Sequence, residues 1–285
     1  MDQNLVTTAV NAINSPNSAI SFLIAYGLKK AYDDFASPTI KKAGLLGAKI
    51  FGALTVAVEN WAEAKLQKGQ KLQDDIMEIL KDTDQSNITT NPLGYVIVPA
   101  INQYYYSMDS EEIRHLYAQL IAKALLVNYQ KQIHPTFVHI IENLHPFEAL
   151  IMRDLFYRKP GGLSVINTMW KNEKGRISSL QYVYQFHKDI AIEHSGITMI
   201  RFQNLTEGQP EHLSNLNRLG LADVNFMQWY VDEKPYKSLE SLDKVKVDRE
   251  KCISSHMEFE IEKGIIRLTP LGESFCKICV AEKMS

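Results

Sequence analysis

MDSEEIRHLYAQLIAKALLVNYQKQIHPTFVHIIENLHPFEALIMRDLFY, residues 108–157, carries more agreeing signals than any other stretch of the chain. Ser110 stands before Glu111 and Glu112, an N-cap followed by acids in a first turn, where exposed amides and the helix dipole favour negative charge. Beyond it Ile113, Leu116, Tyr117, Leu120, Ile121, Ala124 and Leu125 recur at three- and four-residue steps and form one apolar stripe. His134-Pro135 and His145-Pro146 each push the residue before proline out of the α region, while proline itself suits a first helical turn. Both steps therefore mark helix boundaries. Phe137, Ile140, Ile141 and Leu144 make a second stripe, and Phe147, Leu150, Ile151, Leu155 and Phe156 a third. Three short-linked amphipathic helices are expected to fold back on one another.

The acidic helix start, LYAQLIAKAL, IHPTFVHIIENLHPFEALIMRDL, and the later NLNRLGLADV and IIRLTPLGESFCKIC resemble the Abi-alpha family, bacterial proteins associated with abortive infection against phage. The resemblance runs from Pro92 to Val280. It implies a role in antiviral defence and names no reaction.

With 285 residues, 45% of them hydrophobic and 22% charged, the chain can bury a sizeable core. A formal charge of -2 argues against a strongly electrostatic grip on nucleic acid, which needs clustered lysine and arginine. Three cysteines do not suggest a secreted disulfide framework, and MDQNLVTTAV lacks the basic-then-apolar order of a secretory signal. A reducing, cytoplasmic setting is expected.

Residues 1–83 read as an N-terminal helical region, 84–94 as a polar linker, 95–157 as a central helical core, and 158–285 as an α+β module. Within the first region Ala43 to Val58 is the most apolar window, with Gly44, Gly47 and Gly52 as small positions and Lys49 near its middle. It is short of the ~20 residues of a spanning helix. It reads either as a closely packed buried helix or as a membrane-contacting segment through Leu45, Leu46, Ile50, Phe51 and Leu54. In the core, a helix is expected to start near Val98-Pro99 and to carry Tyr104, Tyr105 and Tyr106.

The last module reads as a helix around Leu163 to Trp170, an ambiguous aromatic stretch from Leu180 to Phe186 and a strand from Ile197 to Phe202. A helix from Glu211 to Leu219 capped by Gly220 and a strand from Val224 to Val231 follow. Met257–Ile261 and Ile265–Leu268 then flank Glu262-Lys263-Gly264 as a hairpin, and Thr269-Pro270 opens a closing helix. This order is similar to a winged helix, so the fold class expected is mainly α, with a smaller α+β part ending in a winged-helix-like module. Asn215, Asn217 and Arg218 would then be the side chains able to reach nucleic acid, although one cation is thin for that task.

Two Glu-x-x-His pairs, Glu112 with His115 and Glu142 with His145, have the spacing of di-iron helices, with Glu59 and Glu63 as candidates for the further acids. His145 at a proline boundary and Glu112 in a first turn also have ordinary structural explanations. Cys252, His256, Cys276 and Cys279 could supply four zinc ligands; the alternative is buried thiols in a core. Arg158 to Gly162 reads as a turn without the spacing of a phosphate loop. No nucleophile elbow, HExxH, kinase set or dinucleotide fingerprint occurs, so the sequence makes no positive case for an enzyme, a catalytic residue or a cofactor. Expected partners are another protein or a second copy, then a membrane, then nucleic acid.

Overall fold

A computed structural model describes residues 93–282 except 108, 159–160 and 195–197, together with 71–72, 74–76, 78–80, 83, 87 and 89. The N-terminal expectations, including Leu45, Leu46, Ile50, Phe51, Leu54, Glu59 and Glu63, lie outside the described residues. Asn143–Val280 form one compact unit, and the other holds the chain through Glu142 and from Ala281.

The first unit contains α1 (Gly94–Tyr106), α2 (Glu111–Ala124), a 3-10 turn (Val127–Gln132) and α3 (Thr136–Glu142). Helix α1 starts at Gly94, earlier than its proline suggests, and carries Pro99 inside. Val96, Ile97, Ala100, Ile101 and Tyr104 are all buried, and this apolar stripe outweighs the hydrogen bond that proline forfeits. Ser110 caps α2 as expected, its Oγ accepting from Ile113 N at 3.3 Å. Tyr117 donates to Val138 O at 3.4 Å and ties α2 to α3. Lys123, 4% exposed, donates to Ala281 O at 2.8 Å, which satisfies a buried cation with a backbone acceptor.

The second unit opens with α4 (Pro146–Tyr157) and continues through β1 (Leu163–Asn172), β2 (Gly175–His194), β3 (Thr198–Glu207), α5 (Pro210–Arg218), β4 (Ala222–Asn225), α6 (Lys234–Glu240), α7 (Asp243–Ser254), β5 (Glu258–Leu268), α8 (Pro270–Phe275) and a π-helical turn (Cys276–Val280). Its five strands form one antiparallel sheet in the order β3-β2-β1-β5-β4. This sheet overturns the mainly helical fold class and the winged helix.

Three local corrections explain the difference. Leu163 to Trp170 is a strand: Val165 and Ile166 point to opposite faces and both are fully buried, so no alternation betrays β structure in the sequence. The expected hairpin at Glu262-Lys263-Gly264 is absent because β5 runs straight through it. Gly264 is needed for space, since a Cβ there would lie 2.7 Å from the Phe226 ring and 2.9 Å from Asn225 O. The strand expected from Val224 to Val231 stops at Asn225, whose Oδ1 accepts from Met227 N at 2.7 Å and turns the chain away.

Strand β2 is long: residues 175–184 pair with β1 and 185–194 with β3. Helix α4 packs against β2. Helices α6 and α7 bring Tyr236, Leu239 and Val245 onto Ile166 and Val183 in a shared apolar cluster. Asp248 of α7, 8% exposed, fastens that helix to the sheet by accepting from Thr168 Oγ1 at 2.8 Å, Ser179 Oγ at 2.7 Å and Trp170 Nε1 at 3.2 Å.

Candidate functional site

The His-Pro steps do more than break helices. In each, the histidine before proline turns Nδ1 onto the helix it precedes: His134 accepts from Thr136 N and His145 from Phe147 N, both at 3.2 Å. At α4 the cap is reciprocal, because Glu148 Oε2 accepts from His145 N at 2.9 Å. Glu148 is only 2% exposed, and its other partners come from α5. Asn215 Nδ2 donates to Glu148 Oε2 at 2.7 Å, and His212 Nδ1 lies 3.4 Å from Oε1. The His145 and His212 rings stack with centroids 4.7 Å apart.

This polar knot absorbs two of the three residues marked for nucleic acid. Asn215 also donates to Asn143 O at 3.0 Å, and Arg218 Nε and Nη2 both donate to Asn215 Oδ1, at 3.0 and 2.7 Å. Asn217 Nδ2 reaches Ala222 O at 3.4 Å. All three sit on α5, yet each amide or guanidinium is occupied within the unit. Behind the knot, Tyr184 donates to Gln209 O at 3.0 Å; burial, then Glu148 and Glu211, hold its phenol well above the ordinary range.

Two turns along α4, Asp154 is fully buried. It accepts from Arg158 Nη2 at 2.8 Å and from His187 N at 2.7 Å. His187 Nδ1 lies 2.8 Å from Arg158 Nη2 and 3.1 Å from Asp154 Oδ2. Helix α4 thus carries two buried carboxylates, each beside an imidazole. Carboxylate–imidazole pairs fix tautomers and can serve proton transfer, but here every near-side atom is engaged in capping or in joining helix to sheet.

The four zinc candidates do not gather. Cys252 lies on α7 and donates to Met257 O at 3.4 Å, while Cys276 points at Met152 O, 3.8 Å away. All three cysteines are buried and outside any disulfide, and His256 is exposed at a φ of +55°. Among the described residues no three His, Cys, Asp or Glu side chains are placed to hold a metal ion. The Glu-x-x-His pairs are spent locally: Glu112 accepts from Ser110 Oγ at 3.1 Å, and Glu142 from Gln103 Nε2 at 3.2 Å. Among the described residues no helix is long and apolar enough to cross a membrane.

The feature that sequence reasoning missed is FMQWYV, residues 226–231, between β4 and α6. Alternate residues are pinned. Phe226 stacks on Tyr182 with centroids 6.4 Å apart, Gln228 Oε1 accepts from Arg267 Nη1 at 2.9 Å, and the Tyr230 hydroxyl accepts from Gly162 N at 2.6 Å while donating to Gly162 O at 3.1 Å. Tyr230 N further donates to the buried Tyr236 hydroxyl at 2.9 Å. The residues between them face solvent: Met227 is 87% exposed, Trp229 57% and Val231 97%. The fastened loop thus holds three large apolar side chains in water, where the hydrophobic effect disfavours them. The signal in the sequence was the apolar run itself, which read equally well as a strand.

A family model described as abortive infection alpha matches residues 62–279, a span that includes α4, α5 and the loop. No curated protein and no solved structure matches the chain.

Proposed function

The chain belongs to the abortive infection alpha family, and from that premise we propose that it serves abortive-infection-type defence through protein contacts, as a sensor or effector, and not through chemistry at the α4 carboxylates. The observation that carries this reading is the 226–231 loop, anchored at Phe226, Gln228 and Tyr230 and presenting Met227, Trp229 and Val231 outward. Tryptophan and methionine are enriched in the centres of protein interfaces, and a pre-ordered loop loses little entropy on docking. Three buried cysteines outside any disulfide fit a reducing compartment, and the reading places the protein in the cytoplasm.

The test is phage challenge of cells expressing the full chain. The double variant Met227→Ser, Trp229→Ser should keep its thermal transition and lose at least tenfold of the protection measured as plating efficiency. The variant His212→Gln, if folded, should protect like the parent. Protection that survives in the double variant, or vanishes in folded His212→Gln, would move the function to the α4 cluster.

A further inference from the structure

We infer that His145 makes the junction of α4 with α5 a proton-sensitive latch, closed while its imidazole is neutral and opened when that ring takes up a proton. The device is separate from the 226–231 loop and does not depend on how that loop is read.

The chemistry lies in the atom that serves as the cap. Pro146 has no N–H, so Phe147 carries the first backbone donor of α4, and its acceptor is His145 Nδ1 at 3.2 Å. A neutral imidazole offers a lone pair there, whereas an imidazolium carries a hydrogen on both nitrogens and accepts nothing. Capping by His145 and protonation of His145 therefore exclude one another. A serine or asparagine in this place would cap without titrating, so the sensitivity comes from the choice of histidine. The residue is exposed, and solvent protons reach its ring.

The surroundings set the response. On α4, Glu148 faces the cap, but its Oε2 already accepts from His145 N at 2.9 Å and Asn215 Nδ2 at 2.7 Å, and His212 Nδ1 lies 3.4 Å from its Oε1. A proton added at His145 Nδ1 would point at the Phe147 N–H. From α5, the His212 ring stacks on His145 with centroids 4.7 Å apart, so a proton on either ring disfavours one on the other. Glu211, next to His212 in sequence, is exposed. From β2, the Lys188 ammonium lies over the Phe147 ring, 5.2 Å from its centroid, and adds positive charge. An imidazolium at 145 must leave this place, and by swinging out it undoes both the cap and the stack on buried His212. The closed state thus holds fewer protons than the open one, and closure weakens as pH falls through the imidazole range near ~6.5.

Hydrogen–deuterium exchange of the full chain, followed at residues 143–150 and corrected for the intrinsic effect of pH, tests the latch. Between about pH 7.5 and about pH 5.5 the parent should lose about fivefold of its protection there, the loss of one helix cap. His145→Asn, which keeps an acceptor that does not titrate, should hold its protection across the same range, and its Tm should fall less than the parent's. His256→Asn, an exposed histidine change at a positive φ that asparagine tolerates, should follow the parent. If His145→Asn does not fold, His145→Ser carries the comparison. Protection at 143–150 that stays constant with pH in the parent, or that falls equally in the parent and His145→Asn, overturns the inference. So does a loss shared evenly by all of residues 143–280, which would be general acid unfolding, or a His256→Asn chain that behaves like His145→Asn.

Discussion

Replacing Glu148 by alanine removes the carboxylate on which the α4–α5 knot converges. The change deletes the acceptor for His145 N at 2.9 Å and for Asn215 Nδ2 at 2.7 Å, and strands His212, which is 8% exposed. Loss of the cap costs about 1 kcal/mol, and loss of a charge-assisted bond with its donor left buried about 2 kcal/mol. The expected destabilisation is about 3 kcal/mol, or roughly 10 °C in Tm for a unit of this size. Glu148→Gln keeps the shape and one acceptor oxygen and should cost about 1 kcal/mol. Urea denaturation of the full chain, followed by tryptophan fluorescence and far-UV circular dichroism, reads both values. Because Asn215 shares the same bond, Glu148→Ala and Asn215→Ala should combine with a coupling of about 1 kcal/mol or more. A Glu148→Ala chain within 0.5 kcal/mol of the parent, or strict additivity with Asn215→Ala, would refute the reasoning that this carboxylate organises the knot.

Asp154→Ala leaves Arg158 and His187 without their shared acceptor and should cost about 3 kcal/mol by the same denaturation assay, whereas Lys171→Ala, whose partners are surface carboxylates, should leave the transition where it is. Tyr184 has a raised folded-state pKa, so its contribution is fully present below the unfolded value near ~10 and is lost as pH climbs through the folded value. Alkaline denaturation should therefore be less steep in Tyr184→Phe than in the parent, as read by Tm against pH from 9 upward; an identical slope would contradict the burial of that phenol. Gly272→Ala sets a Cβ 1.9 Å from Leu221 O, a backbone atom that cannot swing aside, and should cost ~3 kcal/mol or abolish folding. Gly94→Ala, with nothing within 4 Å of the added carbon, should be harmless by the same melting measurement.

Residues 108–157 determined three helix boundaries unaided, because Ser110, Pro135 and Pro146 act through local backbone geometry that needs no distant partner. The C-cap at Gly220, with its φ of +71°, was legible for the same reason. The family resemblance was also legible, carried by core and turn patterns. The sheet was not: Leu163 to Trp170 is buried on both faces, and a segment with apolar residues on every side has no period to read. Gly264 looked like a turn because a glycine's two uses, positive φ and close approach, are indistinguishable until Phe226 is seen lying against it. Only tertiary structure could bring Asn215 to the α4 cap, with Arg218 donating to it, since Glu148 lies 67 residues from Asn215 in sequence and 2.7 Å from it in space. The loop was decided the same way: the run FMQWYV specifies apolar side chains, but burial is a property of what packs on them, and only the fold shows Met227, Trp229 and Val231 facing water.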